Sequence, residues 1–172
     1  AEHDVKVADI DCFAACTGPG SFTGLRVGLG LAKTFAYVLG KPVYGIDAVE
    51  LVAWRFLGTG FDVADVEFHA AIVSFKDTVF SAPYSVKEGA LVARGALDWH
   101  EGPAAFAETV GDKARIVVPA SAAEKIPGAV AVPDESSGAV VVAHAASARI
   151  AAGIEQDFDC LLYTSPSPRD NR

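Results

Sequence analysis

The sequence predicts an α/β fold with a mixed sheet. In the first 60 residues, short apolar runs alternate with segments of helical length, an order typical of parallel strands joined by right-handed crossovers. Further along, two apolar runs flank a polar turn, which is typical of an antiparallel hairpin. The composition agrees, because 51% of the 172 residues are hydrophobic and 21% are charged, as in chains that fold around a core.

The first third of the chain predicts two strand–helix pairs. The expected elements are a strand over 11–17, a helix over 21–39, a strand over 43–46 and a helix over 47–57. Ser21 or Thr23 can cap the first helix, and Gly40 followed by a proline ends it. Asp47 and Glu50, three residues apart, resemble a capping box that opens the second helix.

The rest of the chain predicts strands first and then shorter elements of both kinds. A polar turn at residues 76–77 separates the two strands of the hairpin, and a third antiparallel strand is expected after a turn at 87–89. The expected elements are strands over 69–74, 78–82 and 91–99, a helix over 103–110, a strand over 114–118, a helical turn over 121–125, a strand over 129–132 and a helix over 138–152.

Charge and cysteine content exclude several classes of protein. The chain has 14 Lys and Arg residues against 22 Asp and Glu residues, a net charge of −8, which disfavours direct binding to phosphate backbones. No run of about 18 uncharged apolar residues predicts a membrane span. Cys12 and Cys16 would lie about 13 Å apart on a strand, too far for a disulfide. We therefore expect a cytoplasmic protein with no membrane partner.

Both ends of the sequence are unusual. The chain begins at Ala1 and contains no Met, so we expect a fragment or a processed chain. Residues 160–172 show no periodicity and resemble one reading frame of the transposase adapter used to build sequencing libraries. We expect this tail to be artefactual; the alternative is a natural tail rich in Ser and Pro.

A glycine loop joins the first predicted strand to the first helix. Backbone amides and the helix dipole can bind phosphate at such a junction. The spacing fits neither the P-loop nor the dinucleotide fingerprint, because Leu25 follows Gly24 where a P-loop needs Lys. A tight strand-to-helix turn is the structural alternative to a phosphate site. The candidate nucleotide-proximal residues are Gly18, Pro19, Gly20, Ser21, Thr23 and Gly24.

The helix over 21–39 is apolar on nearly all sides. One stripe contains Leu25, Leu29, Ala32, Ala36 and Leu39, and a second contains Val27, Leu31, Phe35 and Val38. Small residues also recur every fourth position, which would let another helix approach closely. Such a helix is either enclosed in the core or packs on the sheet with one side and on a partner chain with the other. The expected partner interface is Gly24, Leu25, Gly28, Leu29, Ala32, Phe35, Ala36 and Leu39.

These residues carry a resemblance to a known family. The block over residues 17–28 (Thr-Gly-Pro-Gly-Ser-Phe-Thr-Gly-Leu-Arg-Val-Gly), continued through Ala32-Lys33 to Lys41-Pro42-Val43, resembles the signature of the TsaB (YeaZ) family. The likeness weakens after residue 86. It implies an actin-like, Hsp70-like (ribonuclease H-like) fold of two lobes. Residues 1–60 would be the remainder of an incomplete N-terminal lobe, and residues 61–159 the C-terminal lobe.

The resemblance also implies a function. TsaB-like proteins take part in forming threonylcarbamoyladenosine in tRNA, as non-catalytic scaffolds that bind and activate a TsaD-like enzyme. The helix over 21–39 would then supply the surface used for that partner and for homodimers. A TsaE-like ATPase is a further expected partner, and tRNA would be reached only indirectly. We expect no cofactor held by this chain itself, although ATP or ADP could be bound in the complex.

An enzyme of the same fold is the alternative, either an ATP-dependent transferase or a metallopeptidase of the glycoprotease type. In TsaD-like proteins a similar glycine block is followed by paired metal-binding His residues, but the matching residues 45–53 contain no His. The four histidines, His3, His69, His100 and His144, are scattered and show no metal-ligand spacing. We expect no metal site and no catalytic residue. A third reading is that the chain is an inactive piece of the family protein.

Overall fold

The computed structural model describes residues 5–59, 65–74, 76–134 and 138–154. The predicted tail over 160–172 lies outside these residues. The strands are β1 (Phe13–Gly18), β2 (Val43–Asp47), β3 (Glu67–Val73), β4 (Val79–Lys87), β5 (Ala90–Ala93), β6 (Asp98–His100), β7 (Ile116–Pro119) and β8 (Val130–Val132). The helices are α1 (Phe22–Leu39), α2 (Ala48–Leu57), α3 (Pro103–Val110) and α4 (Gly138–Ala151), with 3-10 turns at Val7–Asp9 and Ala120–Lys125.

The described residues form two compact units. The first contains residues 5–47 and 142–154, and the second contains residues 48–141. Helix α2 belongs to the second unit, where it packs on β3, β4 and β7, whereas the sequence division groups it with residues 1–60. None of the helices in the described part of the chain is long and apolar enough to cross a membrane.

The first unit is a two-stranded parallel sheet covered by α1. Strands β1 and β2 pair in the register Phe13↔Val43 through Cys16↔Ile46, and α1 packs mainly on β1. The predicted helix α1 is confirmed. Its bounds can be predicted because the residues that cap its two ends are next to it in the sequence. The Ser21 hydroxyl accepts a hydrogen bond from the Gly24 amide at 3.4 Å, and Gly40 ends the helix with a φ of +62°, which glycine adopts without strain.

The second unit is a six-stranded mixed sheet. Its strand order is β5-β4-β3-β7-β8, and β6 also pairs with β4. The β3–β4 hairpin is antiparallel, while β3–β7 and β7–β8 are parallel, so the predicted mixed sheet is confirmed. One face packs on α2, where the rings of Phe56 and Phe68 lie 4.8 Å apart. The other face packs on α3 and the Ala120–Lys125 turn around Phe106.

The single strand predicted over residues 91–99 is wrong. Two short strands stand in its place. Strand β5 pairs with residues 84–87 of β4, and strand β6 pairs with residues 79–81 of β4. The break falls where the chain passes close to Pro83, since a Cβ on Gly95 would lie 2.9 Å from the Pro83 Cγ. Only glycine fits at that distance. The predicted continuous strand is therefore interrupted at Gly95, where the chain passes Pro83.

Candidate functional site

The glycine loop makes a sharp turn from β1 into α1. Gly18 ends the strand with a φ of +99°, a conformation that favours glycine, and a cis peptide joins it to Pro19. Both residues are buried, whereas Gly20 and Ser21 are exposed. The loop therefore presents a short exposed backbone segment at the N-terminus of an eighteen-residue helix.

The N-terminus of α1 is capped from within the chain. The Ser21 hydroxyl engages the Gly24 amide, and the Arg26 guanidinium lies 3.8 Å from the centroid of the Phe22 ring. Because Ser21 uses one of the first-turn amides, a phosphate would have to share it. This geometry is that of a tight strand-to-helix turn. Nucleotide binding stays a prediction for the residues Gly18, Pro19, Gly20, Ser21, Thr23 and Gly24.

One stripe of α1 faces its own sheet. Leu25, Leu29, Ala32 and Ala36 are buried, and the two alanines form a small core with Val43 of β2. Alanine at these positions lets the helix lie close to the sheet. The small residues therefore serve, in part, to pack α1 inside its own unit.

This burial corrects the predicted partner interface. Leu25, Leu29, Ala32 and Ala36 are covered within the described chain and cannot also be an outer surface. Phe35 and Leu39 are half-buried, and Phe35 stacks on Phe13 of β1 with 5.7 Å between ring centroids. Of the predicted set, Gly24 and Gly28 are exposed. A Cβ on Gly28 would meet nothing within 4 Å, so this flank is open.

The second predicted stripe is the outward one. Val27, Leu31 and Val38 are 65%, 55% and 71% exposed, and their spacing places them on the side of the helix opposite the buried stripe. Thr34 lies among them, but its hydroxyl donates to the Gly30 carbonyl at 2.7 Å. The stripe is thus apolar along nearly three turns. We refer to Val27, Leu31 and Val38 as the outer stripe.

Histidines and cysteines make no reactive cluster in the described residues. No group of three or more potential metal ligands occurs among them. His144 lies on α4 and its side chain is exposed. Burial raises the pKa of the Cys16 thiol more than a backbone hydrogen bond from Gly18 lowers it, and the charge of Asp47 adds a smaller upward contribution. That thiol is therefore protonated and a poor nucleophile at neutral pH.

Sequence reasoning missed one buried polar pair. The Ser81 hydroxyl and the Nε2 atom of His100 are 3.0 Å apart, and both residues are buried. The His100 ring also lies against Phe106, with 5.1 Å between ring centroids. The pair satisfies two polar groups inside the sheet–α3 layer, where Ser81 is 3% and His100 8% exposed. It became possible because β6 pairs with β4, which no local pattern indicates.

The chain is similar to solved structures over most of its length. It aligns with YeaZ from Pseudomonas aeruginosa with a TM-score of 0.70 and 23% identity, over 93% of this chain and 75% of that one. The chain has the fold of YeaZ. A second structure, described as an uncharacterized protein with similarity to peptidase YeaZ from the same organism, gives a TM-score of 0.71 at 22% identity, over 95% and 76% of the two chains. The expected actin-like, ribonuclease H-like fold is confirmed.

Sequence comparison matches the N-terminal third of the chain to a family model. The family model described as TsaD, tRNA N6-adenosine threonylcarbamoyltransferase, matches residues 1–61. An uncharacterized protein of Mycobacterium tuberculosis is 35% identical over 65 residues, or 38% of this chain and 31% of the relative. The tRNA N6-adenosine threonylcarbamoyltransferase of Agrobacterium fabrum is 50% identical over 46 residues, or 27% of this chain and 13% of the enzyme. The matches thus span less than a third of these relatives.

Proposed function

We propose that this chain is a TsaB (YeaZ)-family scaffold that binds and activates a TsaD-like enzyme in forming threonylcarbamoyladenosine on tRNA. The observation that carries the proposal is the outer stripe of α1. Three aliphatic side chains remain exposed on a helix whose opposite side already covers the sheet. Contiguous exposed apolar surface of this kind marks an interaction site.

The outer stripe has the chemistry of a helix-packing surface. It is flanked by Gly24 and Gly28, both exposed, so a partner helix could approach the backbone closely. Burying one aliphatic side chain contributes about 1.5–3 kcal/mol, which makes three of them a substantial part of a protein–protein contact. The same surface could serve a homodimer, in which case dimerisation and binding of the TsaD-like protein would compete.

The other expected partners follow from charge and from the complex. A net charge of −8 disfavours a direct grip on tRNA, so the proposal assigns tRNA contact to the enzyme. A TsaE-like ATPase and bound ATP or ADP belong to the assembled complex. In that complex this chain contributes the outer stripe as the surface that binds the TsaD-like protein.

A catalytic role is the second candidate function. It is favoured by the TsaD model, which matches residues 1–61, and by the local identity of 46–50% to threonylcarbamoyltransferases. Residues 45–53, which follow the glycine block, contain no His. A TsaD-type metal pair therefore has no counterpart at the matching positions. The scaffold role fits both the fold and this stretch of sequence better.

A binding titration tests the scaffold role. The chain is titrated with the TsaD-like protein of the same genome, and Leu31→Glu is compared with Val140→Glu on α4. Both positions are exposed, at 55% and 53%, so both substitutions should leave the melting temperature nearly unchanged. We expect Leu31→Glu to weaken binding at least tenfold, because a charge would be buried against apolar surface, and Val140→Glu to leave it unchanged.

Two results would count against the scaffold role. Equal affinity of both variants and the parent chain would remove the outer stripe from the interface. Threonylcarbamoyl transfer by this chain alone, together with about one metal ion per chain after extensive dialysis, would establish the enzyme instead. Activity that requires the TsaD-like protein and falls with Leu31→Glu would support the scaffold.

A further inference from the structure

A pocket of about 390 Å³ opens at one end of the sheet in the second unit. Backbone pairing places its residues in a row across the strands. The His69 amide donates to the Arg115 carbonyl at 2.8 Å, and the Arg94 amide donates to the Pro83 carbonyl at 2.9 Å. Since His69 and Pro83 are register partners, Arg94 and Arg115 lie three strand spacings of about 4.8 Å apart, with the pocket between them.

The pocket is lined by more cations than anions. Arg94, Lys113 and Arg115 contribute positive charge, and Glu67 contributes the one carboxylate of the lining. Glu67 lies 3.8 Å from Arg94. Within the described ranges, no carboxylate lies within 4.0 Å of Lys113 or Arg115. In a chain with a net charge of −8, this is a local concentration of cations that face one cavity.

Two further features bear on how these residues would bind an anion. Gly95 allows the chain to pass Pro83 at close range, directly after Arg94, which lines the pocket. Burial lowers the pKa of His69, and the neighbouring His100 lowers it further, so the imidazole is neutral at pH 7. A neutral imidazole still offers an N–H donor to an oxyanion, and the two guanidinium groups offer paired donors.

We propose that this pocket binds a small phosphorylated molecule, of the size of a nucleoside monophosphate, through its phosphate group. The volume lies within the range of about 300–1,000 Å³ typical of small-molecule sites. A long nucleic acid fits less well, because phosphates outside the pocket would meet the acidic remainder of the surface. The proposal is independent of the outer stripe of α1 and of the scaffold role.

An NMR titration tests the site without assuming a biological ligand. The ¹⁵N-labelled 172-residue chain is titrated with adenosine 5′-monophosphate, and with adenosine as the matched probe that lacks the phosphate. We expect saturable shifts at residues 67–69, 94 and 113–115 with the monophosphate, and none there with adenosine. Rising salt should weaken the binding, because charged groups are screened.

Charge reversal provides the second arm. Lys113→Glu and Arg115→Glu each remove a cation from the pocket, whereas Lys87→Glu makes the same charge change at the end of β4, outside it. Charge-assisted hydrogen bonds to a phosphate predict roughly tenfold to hundredfold weaker binding for the two pocket variants. Lys87→Glu should bind the monophosphate within about twofold of the parent chain, since a distant surface charge is largely screened.

Several outcomes would overturn the proposal. Equal binding of adenosine and its monophosphate would show that the phosphate is not recognised, and equal losses in all three variants would show only a general charge effect. Shifts confined to residues 18–24 would move the anion site to the glycine loop. A single-stranded RNA without a terminal phosphate that binds more tightly than the monophosphate would replace the small ligand with nucleic acid. The shift map of the parent chain decides the matter even if a variant fails to fold.

Discussion

Helices α1 and α2 are both rich in apolar residues, but their outward sides differ. In α2 no residue is exposed, and the side chains beside the buried stripe include polar residues that are paired. Trp54 donates from Nε1 to Glu50 at 3.2 Å, and Arg55 contacts Asp134 at 3.3 Å. In α1 the side opposite the sheet carries exposed aliphatic residues. Apolar content therefore does not distinguish a core helix from an interaction helix, whereas the content of the outward side does.

The largest expected effect is in the buried stripe of α2. Phe56 is 1% exposed and packs its ring against Phe68, so Phe56→Ala should lower the free energy of unfolding by about 3–5 kcal/mol. Chemical denaturation measures this loss. A loss below about 1 kcal/mol would mean that α2 is no more essential to its sheet than an exposed helix.

The buried stripe of α1 should behave in the same way. Ala32→Glu places a carboxylate at a position that is 8% exposed and packed toward Val43. Burying a charge without a partner should lower the free energy of unfolding by about 2–3 kcal/mol. Thermal unfolding checks the loss, with Thr34→Glu on the exposed side as the control. Equal melting temperatures for the two variants would contradict the assignment of faces.

The exposed flank of α1 should respond in the opposite sense. A side chain at Gly28 meets open space, so Gly28→Leu should raise the free energy of unfolding by about 0.5–1 kcal/mol through helix propensity. Yet it should weaken binding to the TsaD-like protein about tenfold, because the added side chain blocks close approach. Calorimetry of unfolding and of binding separates the two effects. Unchanged affinity would place the interface elsewhere.

A smaller effect is expected for the polar pairing of α2. Asp134 accepts from Arg55 and from the Ser121 amide at 2.9 Å, and its side chain is 40% exposed. Asp134→Ala should therefore lower the free energy of unfolding by about 1 kcal/mol. Glu124→Ala, at a nearby exposed carboxylate, is the control for lost surface charge. Equal effects of the two would show that the pairing adds nothing to α2.

The smallest effect is a pH dependence that belongs to the second unit. Burial lowers the pKa of His69 in the folded chain, so the unfolded chain binds protons more readily at this position. His69 therefore costs no stability above its ordinary pKa of about 6.5. As the pH falls below that value, its contribution disfavours the folded state. The difference in the free energy of unfolding between pH 7.5 and pH 5.5 should be smaller in His69→Gln than in the parent chain. The same difference in both proteins would contradict this origin.

How far the sequence alone predicts the structure depends on how local each feature is. The bounds of α1 follow from Ser21 and Gly40, and the β3–β4 hairpin follows from a turn between two apolar runs. The orientation of α1 does not follow, because the helix has two apolar stripes and the sequence does not show which of them packs on β1 and β2. The break near Gly95 depends on Pro83, and the Ser81–His100 pair joins residues nineteen apart. Both arise from tertiary contacts.

One hydrogen bond in the first unit constrains the order in which the chain can be assembled during synthesis. Arg149 of α4 donates from Nη1 to the carbonyl oxygen of Gly45, across 104 residues of sequence. The second unit is continuous along the chain, whereas the first takes residues from both sides of it. On a translating ribosome, residues 48–141 can complete their own contacts as they emerge. The strands β1 and β2 are synthesised first, but the hydrogen bond that Arg149 makes to Gly45 of β2 can form only after residue 149 has left the exit tunnel.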